Sequence, residues 1–187
     1  MQQVYIIHGY RASPDSHWFP YLENELKQDG VVCHRLALPT PQTPEPQAWY
    51  QYLLDNIRLN EETVIVGHSL GCVTALNYLA RRQQTVLGGI FVSGVIQPLP
   101  HFPELDPFMQ TYAETLKLVN SAPHFKRTPY VIASSDDSVV PHQYSDQLAQ
   151  HLQAVYIRLP RGGHFLDREG HTEFPLVLEK IKSLFRL

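Results

Sequence analysis

The chain has 187 residues, which is enough for one domain with a buried core, and 43% of them are apolar against 18% charged. This composition argues against a disordered protein, and a net charge of −3 without any basic run argues against nucleic acid or a membrane as a partner. No segment has the pattern of a membrane span or a signal peptide, and Cys33 and Cys72 lie in apolar surroundings typical of reduced core residues, so we expect a cytoplasmic protein.

The first part of the chain alternates strand and helix patterns. Residues 4–7 predict a buried strand that leads directly into His8-Gly9-Tyr10, and apolar residues at helical spacing follow from Trp18 to a stop at Gly30. Residues 31–38 predict a second strand. The next loop is rich in proline over residues 39–46, and we expect it to form a rigid rim before another amphipathic helix.

The third predicted strand, residues 63–66, breaks into a helix through the sequence Gly-His-Ser-Leu-Gly at residues 67–71. A Gly-x-Ser-x-Gly sequence between a strand and a helix is typical of a nucleophile elbow, a strained turn that exposes the serine hydroxyl above the sheet. The helix N-terminus then faces any negative charge that develops at the serine. We therefore predict that Ser69 is a nucleophile; the alternative is a glycine-rich turn with an incidental serine.

The second part of the chain continues the alternation. Strands are predicted at residues 89–93, 129–133 and 155–157, and helices at residues 141–152 and 174–185. The segment of about residues 95–128 predicts a small cap-like insertion, helical from Pro107 with Asp106 as the N-cap. Strands alternating with helices predict one α/β domain over residues 1–187, a three-layer α/β/α sandwich around a mostly or wholly parallel sheet of six strands.

The loops after the first, third, fifth and sixth strands meet at one edge of such a sheet, where ligands bind. Besides Ser69, these loops carry Asp136-Asp137 and His164, which lies in a Gly-Gly-His-Phe sequence. Histidine exchanges protons near neutral pH, so we predict His164 as the base of a Ser-His-Asp triad; the alternative is a solvated surface histidine. One aspartate is expected to orient His164, and the other to cap a helix or a turn.

The remaining site predictions concern the residues around the triad. The backbone amides of Tyr10 and Leu70 are the natural donors to an oxyanion. His68 is a poor base, because neighbouring residues at an elbow point away from each other. The candidate pocket residues are His8, Gly9, His68 and Phe165. Neither a HExxH sequence nor a Cys/His cluster occurs, so we expect no metal, and the chemistry needs no cofactor.

Four sequences together resemble the α/β-hydrolase superfamily over nearly the whole chain. They are residues 8–10, 67–71, 135–141 (Ser-Asp-Asp-Ser-Val-Val-Pro) and 162–165 (Gly-Gly-His-Phe). The short length and the missing large lid are similar to the compact retinoblastoma-binding protein 9 and YdeN-like serine hydrolases. The resemblance implies that the triad acid is Asp137, four residues before Pro141, rather than Asp136. It also implies the strand order 2-1-3-4-5-6. No Leu-x-Cys-x-Glu sequence is evident, so binding of retinoblastoma protein is not implied.

These observations predict a serine hydrolase that cleaves a small carboxylic ester, thioester or activated amide through an acyl-enzyme on Ser69, in the manner of a carboxylesterase. The expected partner is a small-molecule acyl substrate, and the protein is expected to be a monomer or a weak homo-oligomer with its protein partners left open. The alternative is a catalytically weak binding or regulatory module on the same fold. A complete set of Ser69, Asp137 and His164 argues against this alternative, because a pure binder needs no triad.

Overall fold

Six parallel strands form a single sheet in the computed structural model, which describes residues 1–119 and 122–187. The strands lie in the order β2-β1-β3-β4-β5-β6, which confirms the predicted order and shows that the described sheet is wholly parallel. Their bounds are β1 Gln3–Ile7, β2 Val32–Arg35, β3 Thr63–His68, β4 Gly88–Val92, β5 Tyr130–Ser134 and β6 Val155–Leu159.

The position of each strand in the sheet explains its sequence. The central strands β1, β3 and β4 are buried at every residue and are rich in β-branched and aliphatic side chains, whereas the edge strands β2 and β6 are only partly buried. Strand β2 is shorter than the predicted residues 31–38. After Arg35 the chain turns toward the site, where the Leu38 amide donates a hydrogen bond to His8 Nε2 at 3.3 Å.

Helices cover both faces of the sheet, which confirms the three-layer sandwich. Helices α1 (Phe19–Gln28) and α6 (Pro175–Phe185) pack on one face around Trp18. Four helices pack on the other face around Trp49: α2 (Pro46–Asn56), α3 (Leu70–Arg82), α4 (Asp106–Val119) and α5 (His142–Leu152). Along β1, Val4 and Ile6 join the first core and Tyr5 and Ile7 join the second, as the alternation of a strand requires. In the part of the chain that the structure describes, no helix has the length and apolar character to cross a membrane.

The predicted cap-like segment packs beside α3 in its described part. A short 3₁₀ turn, Pro103–Leu105, runs directly into α4, so Asp106 is the first residue of that helix and not its N-cap. The ring of Phe108 meets Trp49 edge-on at 5.2 Å, and Thr115 Oγ1 donates a hydrogen bond of 2.7 Å to Asn77. Residues 120 and 121 of this segment lie outside the described residues.

Candidate active site

Ser69 lies in a strained turn between β3 and α3. Its backbone has φ 55° and ψ −123°, a conformation that non-glycine residues rarely adopt unless the surrounding structure imposes it. The Ser69 amide donates to the Val92 carbonyl at 2.9 Å, which fixes the turn on β4. A Cβ atom on Gly71 would lie 2.1 Å from the Ile7 carbonyl oxygen, so only glycine fits there. The strand, turn and helix that a nucleophile elbow requires are therefore present.

A buried histidine and carboxylate lie beside this turn. His164 Nδ1 is 2.8 Å from Asp137 Oδ2, and the two side chains are 5% and 0% exposed. The carboxylate accepts a hydrogen bond from Nδ1–H, which leaves the His164 Nε2 lone pair free to act as a base. The other oxygen, Asp137 Oδ1, accepts the amides of Val139 and Val140 at 2.9 Å each, so the carboxylate is held in one orientation.

Asp136 has a different role, which was not predicted. Its exposed carboxylate accepts the amides of Gly162 and Gly163, both at 2.9 Å, and so holds the loop that carries His164. The hydrogen bond from the Gly163 amide is the largest of the contributions that lower the pKa of Asp136. The predicted cap or turn role belongs instead to Asp137, whose Oδ1 accepts the amides two and three residues ahead, whereas the Asp136 carboxylate reaches across to the loop after β6.

Three further side chains hold the backbone around His164. Glu169 Oε2 accepts the amides of His164 at 2.9 Å and of Leu166 at 3.0 Å. His68 Nε2 donates to the His164 carbonyl oxygen at 2.9 Å, and Ser134 Oγ donates to the Gly163 carbonyl oxygen. Sequence reasoning did not identify Glu169, because nothing in the local pattern shows that its carboxylate folds back onto the preceding loop.

His68 is a buried support rather than a pocket residue. It is 1% exposed, and its ring packs edge-on against Trp18, Phe19 and His17. Burial, followed by the proximity of His164, holds the pKa of His68 well below its ordinary value, so the ring is neutral. A neutral ring that donates through Nε2 is suited to positioning the His164 backbone.

The other predicted pocket residues are also packed behind the cavity. His8 donates through Nδ1 to the Gly9 carbonyl oxygen at 2.9 Å and accepts the Leu38 amide, and burial lowers its pKa. Gly9 lies against the elbow, where an added Cβ would be 2.9 Å from Ser69 Cβ. Phe165 stacks on Phe174 at 4.8 Å. The prediction that His8, Gly9, His68 and Phe165 line the pocket is therefore wrong; their positions support the residues that do.

The backbone next to Tyr10 passes close to Ser69 and Leu70. The Cβ position of Gly9, next to Tyr10, is 3.4 Å from the Leu70 nitrogen. The Arg11 amide donates to the Pro41 carbonyl at 2.8 Å, whereas the amides of Tyr10 and Leu70 donate to no acceptor among the described residues. Two unused donors near a serine, one of them at the N-terminus of α3, suit a developing negative charge.

These groups open onto a cavity of about 260 Å³. Ser69, His164 and Tyr10 line it, and no hydrogen bond joins the Ser69 hydroxyl to another described residue. The other lining residues form two groups. The apolar wall consists of Leu99, Phe102, Leu105, Val139 and Val140, and the remaining lining residues are Arg11, Ala12, His17, Leu166, Asp167 and Arg168. In residues 1–119 and 122–187, no group of three or more His, Cys, Asp or Glu side chains has an arrangement that could hold a metal ion.

The sequence model of a protein family described as "Serine hydrolase" matches residues 4–183. The chain belongs to the serine hydrolase family. It is 43% identical to the YdeN hydrolase of Bacillus subtilis (strain 168) over 187 residues, which covers 98% of this chain and 96% of that protein. It is also 25% identical to the serine hydrolase RBBP9 of Rattus norvegicus over 169 residues, 89% of this chain and 86% of that protein.

Solved structures support the α/β-hydrolase fold of this serine hydrolase. The crystal structure of the ydeN gene product from B. subtilis matches with a TM-score of 0.88 and 39% identity, and the match covers all of both chains. Est1E of Butyrivibrio proteoclasticus, solved with ferulic acid bound, matches with a TM-score of 0.72 at 14% identity over 99% of this chain and 88% of that chain. At that identity the second likeness concerns the fold alone.

Proposed function

We propose that this serine hydrolase cleaves small carboxylic esters, thioesters or activated amides through an acyl-enzyme on Ser69. The observation that carries the proposal is the buried His164–Asp137 pair, 2.8 Å apart, in a protein whose His164 and Ser69 line the same cavity. A base that is oriented by a buried carboxylate beside a strained serine is the arrangement that activates a weak hydroxyl nucleophile.

In the proposed reaction, His164 Nε2 accepts the hydroxyl proton as Ser69 Oγ forms a bond to the acyl carbon. The amides of Tyr10 and Leu70 hold the resulting oxyanion, and loss of one such donor typically costs about 3 kcal/mol of transition-state stabilisation. The imidazolium then gives its proton to the leaving group as the acyl–oxygen, acyl–sulfur or acyl–nitrogen bond breaks. Water attacks the acyl-enzyme with His164 again as the base, which releases a carboxylic acid and restores Ser69.

The size and chemistry of the cavity support a small substrate. At about 260 Å³ it is below the range of about 300–1,000 Å³ that is usual for drug-sized ligands, and its apolar wall suits a short aliphatic or aromatic group. A carboxylesterase-like activity on small acyl compounds is therefore the specific form of the proposal. The cytoplasmic location remains a prediction from the sequence.

Labelling with a fluorophosphonate probe, read by intact mass, tests the proposal. Wild type should gain one adduct, and Ser69→Ala should gain none while it remains folded by circular dichroism. The control is Ser183→Ala, an exposed serine on α6, which should label like wild type. Absence of labelling in folded wild type would contradict the proposal and favour the binding or regulatory module.

A further inference from the structure

The charges around the cavity suggest which substrates this enzyme prefers. Two arginines, Arg11 and Arg168, belong to two different loops that line the cavity together with Ser69 and His164. Arg11 directly follows Tyr10, whose amide is a proposed oxyanion donor. Arg168 belongs to the 3₁₀ turn Asp167–Glu169, which closes the loop of His164. Each arginine therefore lies close in sequence to one group of the proposed reaction, Arg11 to the Tyr10 amide and Arg168 to His164.

The backbone and side-chain contacts of Arg11 fix its place in the cavity lining. Its backbone has φ 57°, a strained value for a non-glycine residue, and its amide is tied to the Pro41 carbonyl at 2.8 Å. The guanidinium carbon lies 4.7 Å from the centre of the Tyr10 ring. Tyr10 in turn meets Phe102 edge-on at 6.3 Å, so the charge lies at the border of the apolar wall.

The acidic group in the lining is already engaged by the protein. Asp167 Oδ1 accepts the Arg168 amide at 2.7 Å and lies 3.6 Å from His17 Nδ1. Neither Arg11 nor Arg168 has a carboxylate partner within ion-pair distance among the described residues. The nearby Glu104 accepts the Tyr10 hydroxyl at 3.3 Å and does not line the cavity. Two arginines against one engaged carboxylate leave the lining with an excess of positive charge.

We propose that the preferred substrates are esters that carry a carboxylate near the scissile bond, bound by Arg11 and Arg168, with their apolar part against the Leu99–Phe102–Leu105 wall. This inference rests on the proposed function and specifies its substrate class. Arginine suits the role because its planar donors match a carboxylate, and it keeps its charge at any physiological pH. The carboxylate belongs either to the acyl group or to the leaving group of the ester. In both cases the arginines would bind it in the same way.

Matched pairs of esters test the inference. The acyl-side pair is the 4-nitrophenyl monoester of adipic acid and its methyl-capped neutral form; the leaving-group pair is 4-acetoxybenzoate and its methyl ester. For at least one pair, wild type should prefer the anionic ester by about tenfold in kcat/KM, as expected for a partly exposed charge-assisted hydrogen bond. The preference should decrease at high ionic strength, because salt screens exposed charges.

Variants separate local recognition from general electrostatics. Arg168→Gln and the double variant Arg11→Gln/Arg168→Gln should reduce the anionic-to-neutral ratio toward one. The control Arg82→Gln/Arg186→Gln makes the same change in net charge at exposed positions outside the cavity lining, and its ratio should equal that of wild type. An equal fall in both double variants would overturn the inference.

The two proposals fail in different ways. Turnover of the neutral esters without any preference for the anionic ones would overturn the substrate inference and leave the proposed function intact. Absence of turnover of every ester, together with absence of fluorophosphonate labelling, would overturn both.

Discussion

Replacing Asp137 by asparagine tests the triad most directly, because the structure determines how the new side chain would be oriented. Asp137 serves two sets of donors, the amides of Val139 and Val140 on Oδ1 and His164 Nδ1 on Oδ2. An asparagine has only one oxygen. If that oxygen faced His164, two amides would lose their acceptor, at about 1–3 kcal/mol each or roughly 2–6 kcal/mol in total.

The other orientation costs less and changes the chemistry. The asparagine oxygen then keeps the two amides, and its NH₂ group faces His164 Nδ1. That nitrogen must accept, so the ring proton moves to Nε2, and His164 can no longer take the proton of Ser69. The wrong tautomer in a serine protease triad reduces kcat by about four orders of magnitude, which corresponds to roughly 5 kcal/mol of transition-state stabilisation.

The measurement is the rate of fluorophosphonate labelling and of 4-nitrophenyl acetate hydrolysis by Asp137→Asn at pH 7.5, with the thermal midpoint as the folding check. Asp136→Asn is the matched control. The asparagine keeps an oxygen for the amides of Gly162 and Gly163, so the loss of transition-state stabilisation should be less than ~1 kcal/mol. The rates of labelling and hydrolysis should therefore fall by about fivefold at most. A folded Asp137→Asn protein that reacts within about tenfold of wild type would refute the assigned role of Asp137.

Two further predictions concern the support around the base. Asp136→Ala removes the acceptor of the Gly162 and Gly163 amides, and we expect about tenfold slower labelling with little change in the thermal midpoint, because the loss loosens the exposed loop of His164; an unchanged labelling rate would contradict this role. Because burial depresses the pKa of folded His68, the unfolded state alone takes up a proton below about pH 6.5, and the free energy of unfolding should fall with decreasing pH by up to about 1.4 kcal/mol per pH unit. His68→Gln should flatten this dependence in urea unfolding between pH 7.5 and 5.5, and parallel curves for the two proteins would contradict it.

The central strands and the elbow could be predicted because their signals are local. A strand buried on both faces requires a continuous apolar run, and β1, β3 and β4 have one. The turn around Ser69 likewise requires glycine at position 71, where the chain passes the Ile7 carbonyl. The glycine in the sequence therefore indicates the backbone conformation of the turn. By contrast, the end of β2 depends on where the chain separates from the neighbouring strand β1, and the sequence of residues 36–38 does not mark that point.

The choice between Asp136 and Asp137 could not be predicted from the local sequence pattern. Both follow β5, and residue type alone leaves either able to orient His164; only the resemblance to α/β hydrolases selected Asp137. In the folded chain the two carboxylates are both used, one on the His164 ring and one on the backbone of its loop. The roles of Asp136 and Glu169 depend on contacts between separate loops, which a single sequence does not encode in any short pattern.

Two of the wrong pocket predictions, His68 and Phe165, have a common physical cause. Successive side chains at the end of a strand or in a tight turn point to opposite sides, so the neighbours of a reacting group point away from it. This argument excludes His68 as a base, and it applies equally to His68 as a pocket residue and to Phe165 next to His164. Much of the cavity is instead lined by residues that are not next to a reacting group, namely Leu99, Phe102, Leu105, Val139, Val140, Asp167 and Arg168. On the proposed function, substrate preference is therefore set by these loops, whereas the reaction itself is set by the elbow and the buried His164–Asp137 pair.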